Sequence, residues 1–189
     1  MSDVITFNTE ELAKPISTKT PDVFELIYGP LNTTPLNDFN FELFGTDANR
    51  FASTLTDTCK KHNGLGLSAN QCGFSHRVFV MGSGDEYVAF FNPRIVTVSE
   101  TTIKLAENTL TIPFLELKLK RPISIEVEYQ DFKGILHQQF FGGLSARIFQ
   151  QQLDNLNGVM FINHAKPLSL ERAIKKQKKM LKRCGMRAS

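Results

Sequence analysis

The chain has no tryptophan, and its three cysteines, Cys59, Cys72 and Cys184, are scattered without partner spacing. A disulfide framework is therefore excluded. No stretch approaches the roughly 18 consecutive apolar residues of a membrane span. The first residues, Met1-Ser-Asp-Val-Ile-Thr-Phe-Asn8, lack the basic and apolar regions of a signal peptide, so a cytoplasmic location is expected. The four histidines, His62, His76, His137 and His164, never stand three or four residues apart. No helical histidine pair is available to a metal. There are no internal repeats and no low-complexity linker.

What is present suits one soluble domain. With 189 residues, 41% of them hydrophobic, the chain can bury a single core, and 16 phenylalanines make that core aromatic. Prolines at 15, 21, 30 and 35 interrupt any long element, so residues 1–45 are expected to be irregular. From Asp47 to His62, Phe51, Leu55 and Cys59 form an i, i+4, i+8 stripe that predicts a helix ending at a solvated His62. Glycines at 64, 66 and 73 mark a loop, in which Cys72 reads as a small buried hydrophobe. Strands are expected at Arg77–Met81, at Tyr87–Phe91 and, beyond Asn92-Pro93, at Arg94–Val98. Arg121-Pro122 is read as opening the next strand. Ile123–Tyr129 alternates cleanly and predicts a half-buried antiparallel strand. Its partner is expected at Ile135–Phe141, across a turn at Asp131–Gly134. A helix is expected from Ser145, as N-cap, to Asn157, with Gly158 just past its end.

Charge is uneven. Eight Lys and Arg against one acid lie between Glu171 and Ser189, which leaves the first 170 residues at about −4 although the whole chain is +3. A helix is expected from Ser169, with Leu170, Ala173, Ile174, Leu181 and Cys184 on one side. Lys175, Lys176, Lys178, Lys179, Lys182 and Arg183 are candidate partner-binding residues on the other. This is a solvated cationic face, or a docking face for an acidic surface or RNA. The organisation expected is an irregular segment over 1–45, a domain over 46–168 and a basic helix over 169–189.

The stretch Phe149–Phe161 has the frame of a His-Glu-x-x-His metalloprotease helix, in which two imidazoles one turn apart share a face beside a glutamate base. Here that pair is Gln151 and Asn155, and the residue in the base's place is Gln152. Two further motifs lie upstream, Gly64-Leu-Gly-Leu-Ser-Ala-Asn-Gln-Cys-Gly73 and Glu107-Asn-Thr-Leu-Thr-Ile-Pro113. With Asn92-Pro93, Arg121-Pro122 and Ala146-Arg147 in matching places, the chain resembles the peptide deformylases over roughly residues 60–162. These metal enzymes remove formyl groups from nascent protein N-termini. The resemblance implies an α+β fold with antiparallel strands around a central helix.

It also implies site roles, position by position. The family's three metal holders fall at Thr109, Gln151 and Asn155, and its base at Gln152. Two oxyanion contributors persist, the amide of Gln71 and the backbone N–H of Leu110. Ser68 and Asn70 depart from the usual alanine and proline of the first motif. Hydroxyls and amides are weak neutral donors, unlike thiolate, imidazole and carboxylate. Without an ion, water stays far too weak an acid to supply hydroxide near neutral pH. From this the sequence leads us to expect no metal and no cofactor, and Gln71, Leu110 and Gln152 to be vestigial. The amides of Gln151, Gln152 and Asn155 are expected to bond to Gln71, Thr109, backbone or water.

The function expected on these grounds is a catalytically inactive, structural or interaction subunit of a larger assembly, a viral particle being one conceivable setting. Two other functions stand beside it. One is a peptide-binding module that uses the substrate groove without cutting. The other is a deformylase with residual activity.

Overall fold

The computed structural model describes residues 23–31, 33–44 and 47–185. The chain enters by an irregular stretch that ends in a short helix, α1 (Phe41–Phe44), followed by α2 (Asp47–Lys61). The stripe of α2 is buried as the spacing predicts, with Leu55 and Cys59 inaccessible and Phe51 half-buried. The remainder of the expected 1–45 segment, residues 1–22, 32 and 45, lies outside the described residues.

Five strands form one antiparallel sheet in the order β1 (Gly66–Ser68), β2 (Val78–Ser83), β3 (Glu86–Val98), β6 (Ser124–Gln130) and β7 (Leu136–Gly142). The pairing of β6 with β7 is the one the alternation implies. Ile125, Val127 and Tyr129 are buried, Glu126 is exposed, and the N–H of Gly134 closes the turn on the carbonyl of Asp131.

Where two strands were expected around Asn92-Pro93, one long β3 is found. Its first part pairs with β2 and its second with β6, and the register shifts between Phe91 and Arg94. Asn92 takes a positive φ of 48° at this irregularity. Its side-chain amide accepts from the N–H of Phe39 (2.6 Å) and donates to the carbonyl of Phe39 (3.0 Å) and to Gln130 (2.8 Å). A bulge accommodates the proline without ending the strand.

A second, two-stranded sheet joins β4 (Thr102–Thr109) to β5 (Ile112–Pro122). Arg121-Pro122 thus closes a strand rather than opening one. The signal for β5 was there to read. Leu115, Leu117 and Leu119 are buried while Glu116, Lys118 and Lys120 are exposed, which is period-two alternation.

The central helix α3 (Gly143–Leu156) follows β7 directly. Its N-cap is Gly142, with no side-chain cap, and Gly143 makes the corner at φ 59°. Ser145 is therefore an exposed first-turn residue and not the cap, because no loop separates strand from helix. The far end behaves as expected, with Gly158 at φ 74°. A Cβ there would run into the backbone of Thr33, so glycine is required both for the left-handed turn and for the close approach.

The core sits between α3 and the large sheet, where Phe149 lies edge-on to Phe79 and Phe90 at 5.0 and 5.3 Å. The last helix, α4 (Pro167–Arg183), starts at Pro167 with Lys166 as cap, two residues before the expected Ser169. Leu170, Ala173 and Ile174 pack on Leu115, Leu117, Leu119 and Phe161, and Leu181 is buried as well. Cys184 is exposed past the end of the helix and does not join this stripe. Among the described residues no helix is long and apolar enough to cross a membrane.

Candidate functional site

The site begins at the glycine-rich stretch. After β1 the chain makes a tight helical turn over Ala69–Cys72 and leaves through Gly73 at φ 85°. The carbonyl end of the Gln71 amide accepts from the N–H of Ser68 (3.1 Å) and the Ser68 hydroxyl (3.0 Å). This fixes which end of the amide faces which way. The amide nitrogen therefore points across to the β4–β5 hairpin, donating to Thr109 Oγ1 (3.0 Å) and Thr111 Oγ1 (3.4 Å). Gln71 is buried. Leu110 lies between the two threonines, and its side chain packs against Gly64 and the core under α2.

The third motif approaches from α3. Asn155 donates its amide N–H to Ser68 Oγ (3.2 Å) and Gln71 Oε1 (3.4 Å), and its backbone carbonyl accepts from Asn70 Nδ2 (2.8 Å). The side chain of Gln151 leans the other way, donating to the carbonyl of Asn108 (3.0 Å) and to Glu107 Oε2 (3.4 Å). All three motifs thus converge: Gln71, Thr109 and Asn155 share one hydrogen-bonded cluster, with Gln151 at its edge.

Gln152 differs from the other two amides. It is buried, and its Oε1 has no hydrogen-bond partner; the same holds for Oδ1 of Asn70. The amides at 151 and 155 thus find partners among backbone and side-chain groups, as expected. The departures Ser68 and Asn70 now have a local reason, since each makes a hydrogen bond to or from Asn155 that alanine or proline could not make.

Sequence reasoning treated Glu107, Arg121 and Arg147 as motif matches and missed what they build. Glu107 is buried and accepts from Arg121 Nε (2.7 Å) and Nη2 (3.0 Å) and from Arg147 Nη1. Arg121 Nη1 reaches Asp154 (2.7 Å), which also faces His164 Nε2 (2.9 Å). Burial works against the Arg121 charge, but the hydrogen bonds and charges of Glu107 and Asp154 outweigh it, and its pKa is raised. This network fastens the hairpin to α3 beside the amide cluster. Arginines sitting next to buried-strand positions were the available signal.

Outside the cluster, an open groove of about 610 Å³ runs along the first turns of α3, with Leu65, Phe141, Leu144 and Ile148 in its walls. Among the described residues no three His, Cys, Asp or Glu side chains come together to hold a metal ion. Cys59 and Cys72 are raised to about 12, in both cases chiefly by burial. His62 is half-buried in the turn after α2. Lys175, Lys176, Lys178, Lys179, Lys182 and Arg183 are all exposed on α4, and Lys175 forms a surface pair with Glu171.

The polypeptide deformylase family profile matches residues 32–171. A peptide deformylase of Thermotoga petrophila is 34% identical over 124 residues, covering 66% of this chain and 76% of that protein. One from Brucella suis is 35% identical, covering 74% and 82%. A crystal structure of peptide deformylase from Plasmodium falciparum superposes with a TM-score of 0.74 at 26% identity, covering 87% of this chain and all of that one. The chain belongs to the polypeptide deformylase family, and its α+β fold is that of the family. These relatives overturn the expectation of a non-enzymatic structural subunit, and with it the pseudoenzyme and viral-particle settings. That expectation weighed the donor positions alone. The relatives match the chain as a whole, through the sheet, the hairpin and the central helix, and they are enzymes by name.

Proposed function

We propose that this family member acts on the amino-terminal end of a peptide and hydrolyses a terminal formamide there slowly, using neutral amides and hydroxyls. The name shared by the relatives supports the reaction class. The observation that carries the reading is the contact between Gln71 and Thr109 at 3.0 Å, which joins the first motif to the second at the family's oxyanion position.

Gln71 donates to both threonine hydroxyl oxygens, so their own protons are free to be donated onward. The two hydroxyls lie 3.4 Å apart, and one can donate to the other while the second faces outward. Turned towards a substrate carbonyl, that proton and the backbone N–H of Leu110 stabilise the oxyanion, an effect of about 10²–10³ in rate for a single donor.

The donor set at 109, 151 and 155 does not fit a divalent metal. Such sites use thiolate, imidazole or carboxylate. Here one position is a hydroxyl, the Gln151 amide is turned to Glu107 and Asn108, and Asn155 presents N–H to Ser68 and Gln71. With no carboxylate at Gln152, the help of a general base, about 10²–10⁴, is missing too. Slow turnover follows.

Release of formate from formyl-Met-Ala-Ser tests this reading. We expect turnover above the buffer blank that a chelator leaves unchanged, and a fall of about 10²-fold in Gln71→Leu. Formate release no faster than in buffer would overturn it.

A further inference from the structure

Strand β7 ends the large sheet, and among the described residues no other strand lies along its outer side. An open edge is a row of unpaired backbone donors and acceptors, which proteins shield with charge, proline, bulges or short length. The β4–β5 hairpin is shielded in this way, with Lys104, Lys118 and Lys120 all exposed. At the other end of the large sheet, β1 has only three residues. None of these devices protects β7. It runs for seven residues, Leu136–Gly142, and pairs with β6 without a register shift. The stretch around it, Gly134–Ala146, holds no Asp, Glu, Lys, Arg or Pro.

The pairing with β6 fixes which groups the edge presents. Residues of an antiparallel strand turn their N–H and C=O alternately to one side and the other. The N–H of Asp131 bonds to the carbonyl of Ile135 (3.0 Å) and the N–H of Gly143 to that of Ile123 (2.8 Å), and both bonds keep the β6–β7 register. The odd-numbered residues of β7 therefore face β6, while Leu136, Gln138 and Phe140 turn their backbone groups outward. Their side chains share the face of the sheet away from α3, where Leu136 is 59% and Phe140 65% exposed.

A second copy of this chain fits that edge, since the pattern repeats in reverse about Gln138. With two β7 strands antiparallel and a dyad at Gln138, Leu136 stands opposite the partner's Phe140 and Phe140 opposite the partner's Leu136. Gln138 stands opposite the partner's Gln138. Each of these residues points a free N–H and C=O at the other copy, so every pair closes two hydrogen bonds. The apolar pairs form on one face, and no like charges are brought together. A dyad at Gln139 would set Phe140 against Gln138 instead. We propose that β7 is a dimer interface, through which two copies join their large sheets into one continuous antiparallel sheet about a dyad at Gln138.

Sedimentation velocity of the full chain tests the inference. A contact of one strand is small and therefore weak, so monomer should prevail at about 1 µM and dimer at about 100 µM. Phe140→Lys puts a charge on the exposed face of the edge and should leave the protein monomeric at about 100 µM. Gln138→Pro removes the N–H at the dyad but none that β6 uses, and should do the same; the lysine variant decides if the proline variant does not fold. In a Cys184→Ser background, Gln138→Cys should cross-link into a covalent dimer on mild oxidation, because residues opposite each other on paired strands lie within disulfide reach. Monomer at both concentrations overturns the inference and leaves the edge to an extended segment of another protein. A dimer that survives Phe140→Lys, or association that continues past the dimer, overturns it as well.

Discussion

Arg121 and Glu107, 14 positions apart on the two strands of one hairpin, form a buried bidentate pair at 2.7 and 3.0 Å. They are not register partners: Glu107 stands opposite Leu117, and Arg121 opposite Ile103. The pair reaches across the hairpin, and Asp154 extends it onto α3.

Breaking this pair from one side should be costly. Arg121→Met leaves Glu107 with Arg147 as its only cation and Asp154 with only His164. Loss of one partner from a buried ion pair costs about 3–5 kcal/mol. Urea denaturation followed by circular dichroism should show a drop of that size, and a change below about 1 kcal/mol would mean that the network is solvated.

Rebuilding the family's donors should restore what they do. Thr109→Cys, Gln151→His, Gln152→Glu and Asn155→His together should give a protein that purifies with about one equivalent of zinc, iron or nickel. The new base alone should raise formate release by about 10²–10⁴. Elemental analysis and the formate assay read the two effects separately.

Acid should weaken the fold through His76. Burial lowers its pKa from 6.5, and its ring lies edge-on to Phe39 and Phe51 at 5.5 and 5.8 Å. The unfolded chain binds the proton more readily than the folded one. Stability at this residue is therefore full above pH 6.5 and declines as pH falls below it. His76→Phe should flatten that part of the stability–pH curve in chemical denaturation; an unchanged slope would mean that the ring does not contribute.

The thiols should separate by burial. Cys59 and Cys72, raised to about 12, stay protonated at pH 8, while Cys184 is exposed. Intact mass spectrometry after brief iodoacetamide treatment should show one label on the native protein and three after denaturation. Rapid triple labelling of the native protein would contradict the packing around α2.

Several elements were legible because their signal is local. The stripe of α2, the alternation of Ile125, Val127 and Tyr129, and Gly158 after α3 each reflect a period or a backbone need that nearby residues settle. The family frame was legible too, since three motifs in order leave little freedom. The start of α3 was misplaced because Gly142 caps it with no side chain, and β3 was divided because its two halves pair with different strands. What the cluster does with its amides was not legible. Gln151, Gln152 and Asn155 are alike in chemistry and adjacent on one helix. Yet one bonds to the hairpin, one is left unpaired and one bonds to the glycine-rich turn.

The residues by themselves determined which donors stand at 109, 151, 152 and 155, because the frame around them fixes the alignment. Only the tertiary structure decided where those donors point. A hydrogen bond depends on the position of its partner, and the partners here, Ser68, Gln71 and Glu107, lie 44 to 87 positions away along the chain.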